Sequence, residues 1–260
     1  MEELKLSSET ATVADVKAVG SVVHILLYDS DPELVSVEYS GGSYQLWSSR
    51  PTPSAIPLPG SEIATIDVDS TERMWLSTES GTDVVIYYSD SPYSLWNGPI
   101  TIATGISSDD ISVVTALPDN SIGVLWSNQV TQRFGFRVHA DGNDPNVWST
   151  DEVPASQSAL SVGLGMADDH LNVAVASDGT LYAAVKTSYD TAGYPKIALL
   201  VRRPAGIWDD LYEVDTSGTR GIVLLNEAES VVTVVYTASE GNNDIVYKPV
   251  SYTHLTLPTN

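Results

Sequence analysis

Short apolar segments alternate along the chain with clusters of Asp, Asn, Gly and Pro. Most of these segments have four to eight residues and are rich in β-branched and aromatic side chains, which predicts strands. Convincing amphipathic helices are missing. The predicted strands fall into five groups: 13–19, 22–28, 34–39 and 44–47; 64–68, 74–77, 84–88 and 96–103; 111–117, 122–126, 134–138 and 147–153; 171–176, 181–186, 196–202 and 208–214; and 221–225, 231–237 and 244–248.

An internal repeat follows the same rhythm as the strands. Residues 39–47 and 88–96 agree at five of nine positions with an offset of 49, and each segment ends in tryptophan. Looser copies end at Trp148 and Trp208. A second marker, an acidic pair before an apolar strand, occurs at Asp109-Asp110 and again 59 residues later at Asp168-Asp169. Two independent markers in one register indicate a repeat architecture.

Four strands per repeat of about fifty residues, joined by short turns, predict the blade of a β-propeller. We therefore expect an all-β propeller of about five blades over residues 1–250. The first strand of each repeat should line a central channel, and the repeated tryptophans should pack between blades. The last unit lacks a fourth strand, so residues 4–8 are predicted to complete it and close the ring; the alternative is a part of a larger propeller. Residues 251–260 resemble translated sequencing-adaptor DNA and form a predicted non-native tail.

The turns between the strands carry a family resemblance. Residues 177–182 (Ser-Asp-Gly-Thr-Leu-Tyr) come near the Asp-box Ser-x-Asp-x-Gly-x-Thr-Trp, with a different spacing and final aromatic residue. Asp168-Asp169-His170 before an inner strand and Asp178-Gly179 after it are similar to BNR-type repeats. The chain thus resembles the sialidase-like propeller superfamily, and more narrowly its branch that includes polysaccharide lyases.

Charge excludes several classes of partner. The chain has 34 acidic and 12 basic residues, a net charge of −22. A nucleic-acid-binding protein needs a basic surface, and anionic membranes disfavour an acidic protein. No apolar run approaches the roughly 18 residues of a membrane span, and no signal peptide is recognisable at the start of the chain. With no cysteine, the chain has no disulfide framework and no thiolate site. We expect an extracellular or cell-surface bacterial protein that is monomeric.

A propeller of this kind has two enzymatic alternatives, a uronate lyase and a sialidase. A uronate lyase needs a base, an acid and a group that neutralises a carboxylate. His170 is the candidate base, Arg220 the neutralising group, and Tyr182, Tyr189 or Tyr194 the acid. Adjacent carboxylates would raise the pKa of His170 and favour its charged form, which is a poor base; the alternative is a structural histidine paired with those carboxylates.

The resemblance to sialidases implies three arginines on inner strands. Four arginines fall on or beside predicted third strands instead, and only Arg220 abuts an inner strand. Misplaced guanidinium groups argue against a sialidase. The four are Arg133, Arg137, Arg202 and Arg203.

The acidic pairs before two first strands are expected to share one mouth of the channel. There they could bind Ca²⁺, with Asp110 and Asp169 as candidate ligands, although solvated turns explain them more simply; we expect no cofactor.

Since no catalytic set of residues is complete, we favour a non-catalytic propeller that binds carbohydrate or another extracellular ligand. A lyase or glycosidase-like enzyme is the alternative, and a structural spacer the second alternative. The candidate ligand-binding residues are Asp109, Asp110, Asp168, Asp169, His170 and Arg220.

Overall fold

The computed structural model describes residues 12–28, 32–58, 63–241 and 244–251, and these residues form five antiparallel sheets. Blade 1 contains β1 (Thr12–Val19), β2 (Val22–Tyr28), β3 (Glu33–Ser40), β4 (Ser43–Leu46) and β5 (Ser54–Ala55); blade 2 contains β6 (Ala64–Val68), β7 (Arg73–Ser80), β8 (Asp83–Asp90) and β9 (Asn97–Thr104); blade 3 contains β10 (Ser112–Leu117), β11 (Ser121–Asn128) and β12 (Arg133–Ala140); blade 4 contains β13 (Leu171–Val175), β14 (Leu181–Lys186), β15 (Ile197–Arg202) and β16 (Tyr212–Asp215); blade 5 contains β17 (Thr219–Asn226), β18 (Val231–Thr237) and β19 (Ile245–Ser251).

Strands that follow each other in the chain also pair in space within every blade, except that β5 pairs with β3. The predicted all-β, five-bladed propeller is confirmed. One predicted strand is wrong, because the backbone of residues 147–153 pairs with that of β12 at only two places: Ser149 donates its N–H to the carbonyl of Val138, and Glu152 forms an isolated bridge with Phe136. The prediction at 208–214 also starts too early, since continuous pairing begins at Tyr212.

Polar side chains on the first strands hold neighbouring blades together. The first strand of a blade has one free edge, whose N–H groups need acceptors. Thr65 Oγ1 accepts the N–H of Val114 at 3.0 Å, and Asp67 Oδ2 accepts that of Ala116 at 2.8 Å. In the same way, the Asp15 side chain accepts the N–H of Ile66, and the Asn172 side chain accepts the N–H of Val223. The sequence analysis described these strands as nearly all apolar, and it therefore missed the hydrogen bonds that their polar side chains form between blades.

Four apolar cores fill the spaces between successive blades, from blades 1 and 2 to blades 4 and 5. The repeated tryptophans belong to them, as predicted. Trp148 packs against Trp75 of blade 2 with ring centroids 5.7 Å apart, and Trp208 packs edge-on against Phe136 of blade 3 at 5.5 Å. Trp47 and Trp96 contribute to the core between blades 1 and 2.

Blades 5 and 1 share no such core within the described residues. On β17 the side chain of Val223 is buried against blade 4, whereas Ile222 and Leu224 point to the other side and are about half exposed. Blade 5 has three strands in the described part of the chain, as predicted. The predicted closing strand at residues 4–8 lies outside the described residues, and so does nearly all of the predicted tail at 251–260.

Candidate functional site

The first strands of the blades begin at one mouth of the channel, which we name the entry mouth. The hydrogen bonds from β10 to Thr65 and Asp67 on β6 advance two residues for two, so these strands run parallel. Because neighbouring parallel strands begin at the same end, the segments that precede them lie close together. The acidic pairs at 109–110 and 168–169 therefore lie at the same mouth, as the sequence predicted; the charge of Asp168 acts on Asp109.

The first acidic pair anchors a turn. The Asp110 side chain is buried and accepts the N–H groups of Ser107 at 2.7 Å and Gln129 at 3.0 Å. It thus ties the segment before β10 to the end of β11. Asp109 is exposed and accepts the hydroxyl of Ser107 at 2.5 Å, a hydrogen bond that lowers the pKa of Asp109. A ligand or metal that used Asp110 would have to displace two backbone donors.

The second acidic pair surrounds a histidine cation. His170 Nδ1 donates to Asp169 at 2.5 Å and lies 3.4 Å from Asp168 Oδ1. The hydrogen bonds to Asp168 and Asp169 raise the pKa of His170 to about 9, against the opposing effects of burial and of the Lys186 charge. His170 is therefore an imidazolium at neutral pH and holds no free lone pair on Nδ1 for proton abstraction.

Asp168 connects the histidine to the neighbouring strand. It accepts the hydroxyl of Ser188 at 2.9 Å and lies 3.3 Å from the ammonium of Lys186. Burial raises its pKa, but the hydrogen bonds and the Lys186 charge outweigh burial and hold the pKa below its usual range. Burial also raises the pKa of Asp169, with a contribution from the adjacent Asp168. The cluster thus offsets two carboxyl groups with two cations.

Asp168, Asp169 and His170 form the one group of three potential metal-ligating side chains in the described part of the chain. Asp110 does not belong to this group. A metal ion there would compete with the proton on His170 and with the ammonium of Lys186, so the donor set fits a cation poorly. Calcium binding through Asp110 and Asp169 stays a prediction.

The three lyase candidates do not come together. Tyr182 is buried in the core between blades 4 and 5 and pairs with Ala174 on β13. His170 directly precedes β13, so Ala174 lies four positions further along the strand, about 13 Å away. Tyr189 and Tyr194 also pack in a core, that between blades 3 and 4.

Arg220 lies at the start of β17 with φ +55°, and its side chain is exposed. Among the described residues, the guanidinium of Arg220 has no hydrogen-bonding or ion-pair partner. The other arginines considered lie on third strands or directly after one, as predicted. Three of them are already paired: Arg137 with Asp151, Arg202 with Glu152 and Arg203 with Asp209.

A groove between blades 4 and 5 opens beside the histidine cluster. We name it the blade 4–5 groove; its cavity is about 530 Å³ and its wall consists mainly of hydroxyl and charged side chains. Lys186 on blade 4 crosses to Glu240 on blade 5, with Nζ and Oε1 2.7 Å apart. The lining residues are Leu164, Asp168, Lys186, Ser188, Asp190, Lys196, Thr216, Ser217, Gly218, Ser239 and Glu240.

Most of this groove was missed from the sequence. One sequence signal could have found Lys186. The second strand of a blade runs antiparallel to the inner strand, so its last residue lies beside the start of the inner strand. Lys186 indeed donates its N–H to the carbonyl of His170.

A further cavity of about 480 Å³ lies at the opposite mouth, where Glu227 already accepts both the N–H and the hydroxyl of Ser177.

The charged state of His170 predicts a pH dependence of folding. Its pKa is raised from 6.5 to about 9, so the folded state binds more protons than the unfolded state between these values. This stabilisation is complete below pH 6.5 and is lost as the pH rises through 9, at about 1.4 kcal/mol per unit of pKa shift. Urea titrations from pH 6 to 10 should show a falling free energy of unfolding, with a shallower fall in His170→Gln. Equal slopes in the two proteins would contradict this charge assignment.

Comparisons with known proteins support the fold. No family model and no curated protein matches the chain. Among solved structures, a NanB sialidase from Streptococcus pneumoniae is similar with a TM-score of 0.58 and 12% identity over 86% of this chain and 36% of that chain. A polysaccharide lyase, the PL25 ulvan lyase bound to -[GlcA(1-4)Rha3S]-, has a TM-score of 0.61 and 8% identity over 90% of this chain and 67% of its own. The SapL1 lectin in complex with alpha methyl fucoside has a TM-score of 0.58 and 10% identity over 93% and 77%.

These likenesses define a β-propeller that resembles the sialidase-like propellers in fold. The chain spans about a third of the length of the sialidase that it matches. Sialidases, a lyase and a lectin share the architecture, so the fold alone does not select among their activities. Within the described residues no helix is long and apolar enough to cross a membrane.

Proposed function

We propose that this chain is a non-catalytic propeller module that binds carbohydrate through the blade 4–5 groove, and that it acts outside the cell or at the cell surface. The observation that carries the proposal is the groove itself. It combines a preformed cavity of about 530 Å³ with convergent hydroxyl, ammonium and carboxylate groups. That volume lies in the range of small-molecule sites, roughly 300–1,000 Å³.

The polar groups of the groove suit a sugar. Sugar hydroxyls both donate and accept, so they are recognised by side chains of both kinds. Ser188 and Ser239 offer hydroxyls, Asp190 offers acceptors, and Lys196 offers donors. The names of the similar structures include a fucoside-bound lectin and an oligosaccharide-bound lyase, which supports the same class of ligand.

The charge state of His170 supports binding over catalysis. A lyase base must accept a proton from the substrate, and His170 already holds one up to about pH 9. The buried Tyr182 lies at the other end of β13 and β14 and cannot deliver a proton to the same sugar. In the alternative hypothesis, a lyase, the candidate base His170 is therefore already protonated, and the candidate acid Tyr182 lies too far from it.

A blocked groove tests the proposal. Ser239 is exposed at the edge of the groove, so Ser239→Trp should fill the cavity without touching a blade core. On a glycan array the wild-type protein should bind at least one saccharide, and Ser239→Trp should weaken that binding at least about tenfold, which is 1.4 kcal/mol. Isothermal titration with the best array ligand gives the affinity.

Ser94→Trp is the matched control, because Ser94 is an exposed serine on the hairpin between β8 and β9, far from blades 4 and 5. It should bind like the wild type. An array without any signal would favour a structural spacer. Equal binding by Ser239→Trp would place the ligand elsewhere. Unsaturated product released from uronate polysaccharides, and lost in His170→Ala, would restore the lyase.

A further inference from the structure

Two lysines line the blade 4–5 groove together with the carboxylates of Asp168, Asp190 and Glu240, in a chain whose net charge is −22. Lys186 and Lys196 line the groove, and Arg220 follows Gly218, a lining residue, by two positions. In the part of the chain that the structure describes, neither the ammonium of Lys196 nor the guanidinium of Arg220 has a bonding partner. Elsewhere most cations are paired, as Arg73 is with Asp90 and Lys248 with Asp215. Lys196 therefore presents an uncommitted ammonium on the groove wall, and an anionic ligand can pair with it.

The two carboxylates on Lys186 differ in exposure. Asp168 is 12% exposed and belongs to the histidine cluster, whereas Glu240 is 71% exposed and reaches Lys186 from blade 5. An exposed ion pair contributes about 0–1 kcal/mol, so its replacement by another anion costs little. The inner carboxylate is therefore a fixed partner of Lys186, and the outer one can be exchanged.

From this difference we infer that the groove binds an acidic saccharide, and that Glu240 occupies the position at Lys186 that the carboxylate or sulfate of the saccharide takes when it binds. The inference rests on the proposed function and narrows its ligand class. Glu240 is then an internal competitor, which an acidic sugar must displace from Lys186. Lys196 lies on the same wall and can pair with a second acidic group of the saccharide.

Removal of the competing charge should strengthen binding of acidic sugars alone. Glu240→Gln keeps the size of the side chain and leaves Lys186 paired with Asp168. We expect about two- to fivefold tighter binding, the factor that corresponds to an exposed ion pair. Lys196→Gln should weaken binding of the same sugars. Neutral sugars gain nothing from a free ammonium, so their affinity should stay unchanged in both variants.

The experiment is isothermal titration of the full chain with trigalacturonate, with a sulfated galactose tetrasaccharide, and with the methyl-esterified and unsulfated forms of each. Glu229→Gln is the matched control, because it makes the same charge change on the exposed 3₁₀ turn Glu227–Glu229 after β17. It should bind like the wild type. Addition of salt should weaken binding of the acidic probes and should reduce the gain from Glu240→Gln.

Each outcome decides between the two proposals. Equal or weaker binding of the acidic probes by Glu240→Gln overturns the inference and leaves carbohydrate binding intact, as does a wild-type protein that binds array sugars but neither acidic probe. A similar gain for the neutral forms would show that Glu240 blocks the groove by its volume and would also overturn it. Failure of the proposed function looks different: the wild type then binds no sugar at all, or Ser239→Trp binds every sugar as the wild type does.

Discussion

Trp75→Ala is expected to destabilise the propeller by about 3–5 kcal/mol, the usual cost of deleting a buried large aromatic side chain. Trp75 is fully buried on β7, in the core between blades 2 and 3. Its ring contacts His139 at 4.7 Å and Trp148 at 5.7 Å, and its Nε1 donates to Asp69 at 2.8 Å. The substitution therefore opens a cavity between two blades and removes a buried hydrogen bond.

Urea unfolding monitored by circular dichroism measures this loss. Leu95→Ala is the control, since Leu95 is an apolar residue of blade 2 that is 81% exposed, and its change should stay within about 0.5 kcal/mol. Asp69→Asn separates the hydrogen bond from the packing and should cost less than Trp75→Ala. A loss below about 1 kcal/mol for Trp75→Ala would mean that the core between blades 2 and 3 does not support the fold.

The fold was predictable because each blade repeats local signals. The matching segments at 39–47 and 88–96 occupy equivalent hairpins, β3–β4 and β8–β9, and their turn residues determine where strands end. The strand predicted at residues 147–153 is wrong for a local reason. Two valines and a tryptophan favour a strand there, but Asp144 and Pro145 start a turn just before them. Val147 donates its N–H to the carbonyl of Asp144, so this segment leaves the ladder of β12.

The polar positions of the inner strands show a second limit of sequence patterns. Asp67 and Asn172 interrupt apolar runs, and the period of a strand alone assigns them no partner. Their partners are backbone N–H groups of the next blade, about fifty residues away. Hydrogen bonds between elements distant in the chain have no local signature, so they become visible only when the blades are placed side by side.

The candidate site was predictable in part. Asp168, Asp169 and His170 are adjacent in sequence, and the effect of two carboxylates on a neighbouring imidazole follows from electrostatics alone. The structure places the three side chains together and gives a raised pKa for His170. Lys186 and Glu240 could not be assigned in this way, because Lys186 ends β14 of blade 4 and Glu240 lies between β18 and β19 of blade 5.

The position of the groove follows from these same constraints. The inner strand of blade 4 begins with a charged cluster, and the second strand of that blade ends beside it, so Asp168, His170 and Lys186 lie at one corner. The opposite wall comes from Ser217, between β16 and β17, and from Ser239, between β18 and β19 of blade 5. A ligand at this corner therefore contacts two blades, and its affinity should depend on their packing as well as on the lining residues.

The paired Arg202 gives the second large effect. Arg202 Nε and a terminal nitrogen each donate to Glu152 at 2.8 Å, and the guanidinium lies 5.0 Å from the ring of Phe136. The arginine is buried, and Glu152 also accepts Nε1 of Trp208 at 2.7 Å. Arg202→Met should cost about 3 kcal/mol, because removal of one partner leaves the other charge partly buried without compensation.

A double-mutant cycle with Glu152→Gln isolates the pair. Because each single variant leaves one charge without its partner, the double variant should lose at least about 1 kcal/mol less than the sum of the two single losses. Additive losses would show that the two side chains act independently, and would make Arg202 a free guanidinium fork of the kind that carboxylate recognition requires. Arg202→Met should bind trigalacturonate as tightly as the wild type, because its guanidinium is committed to Glu152 and lies outside the blade 4–5 groove.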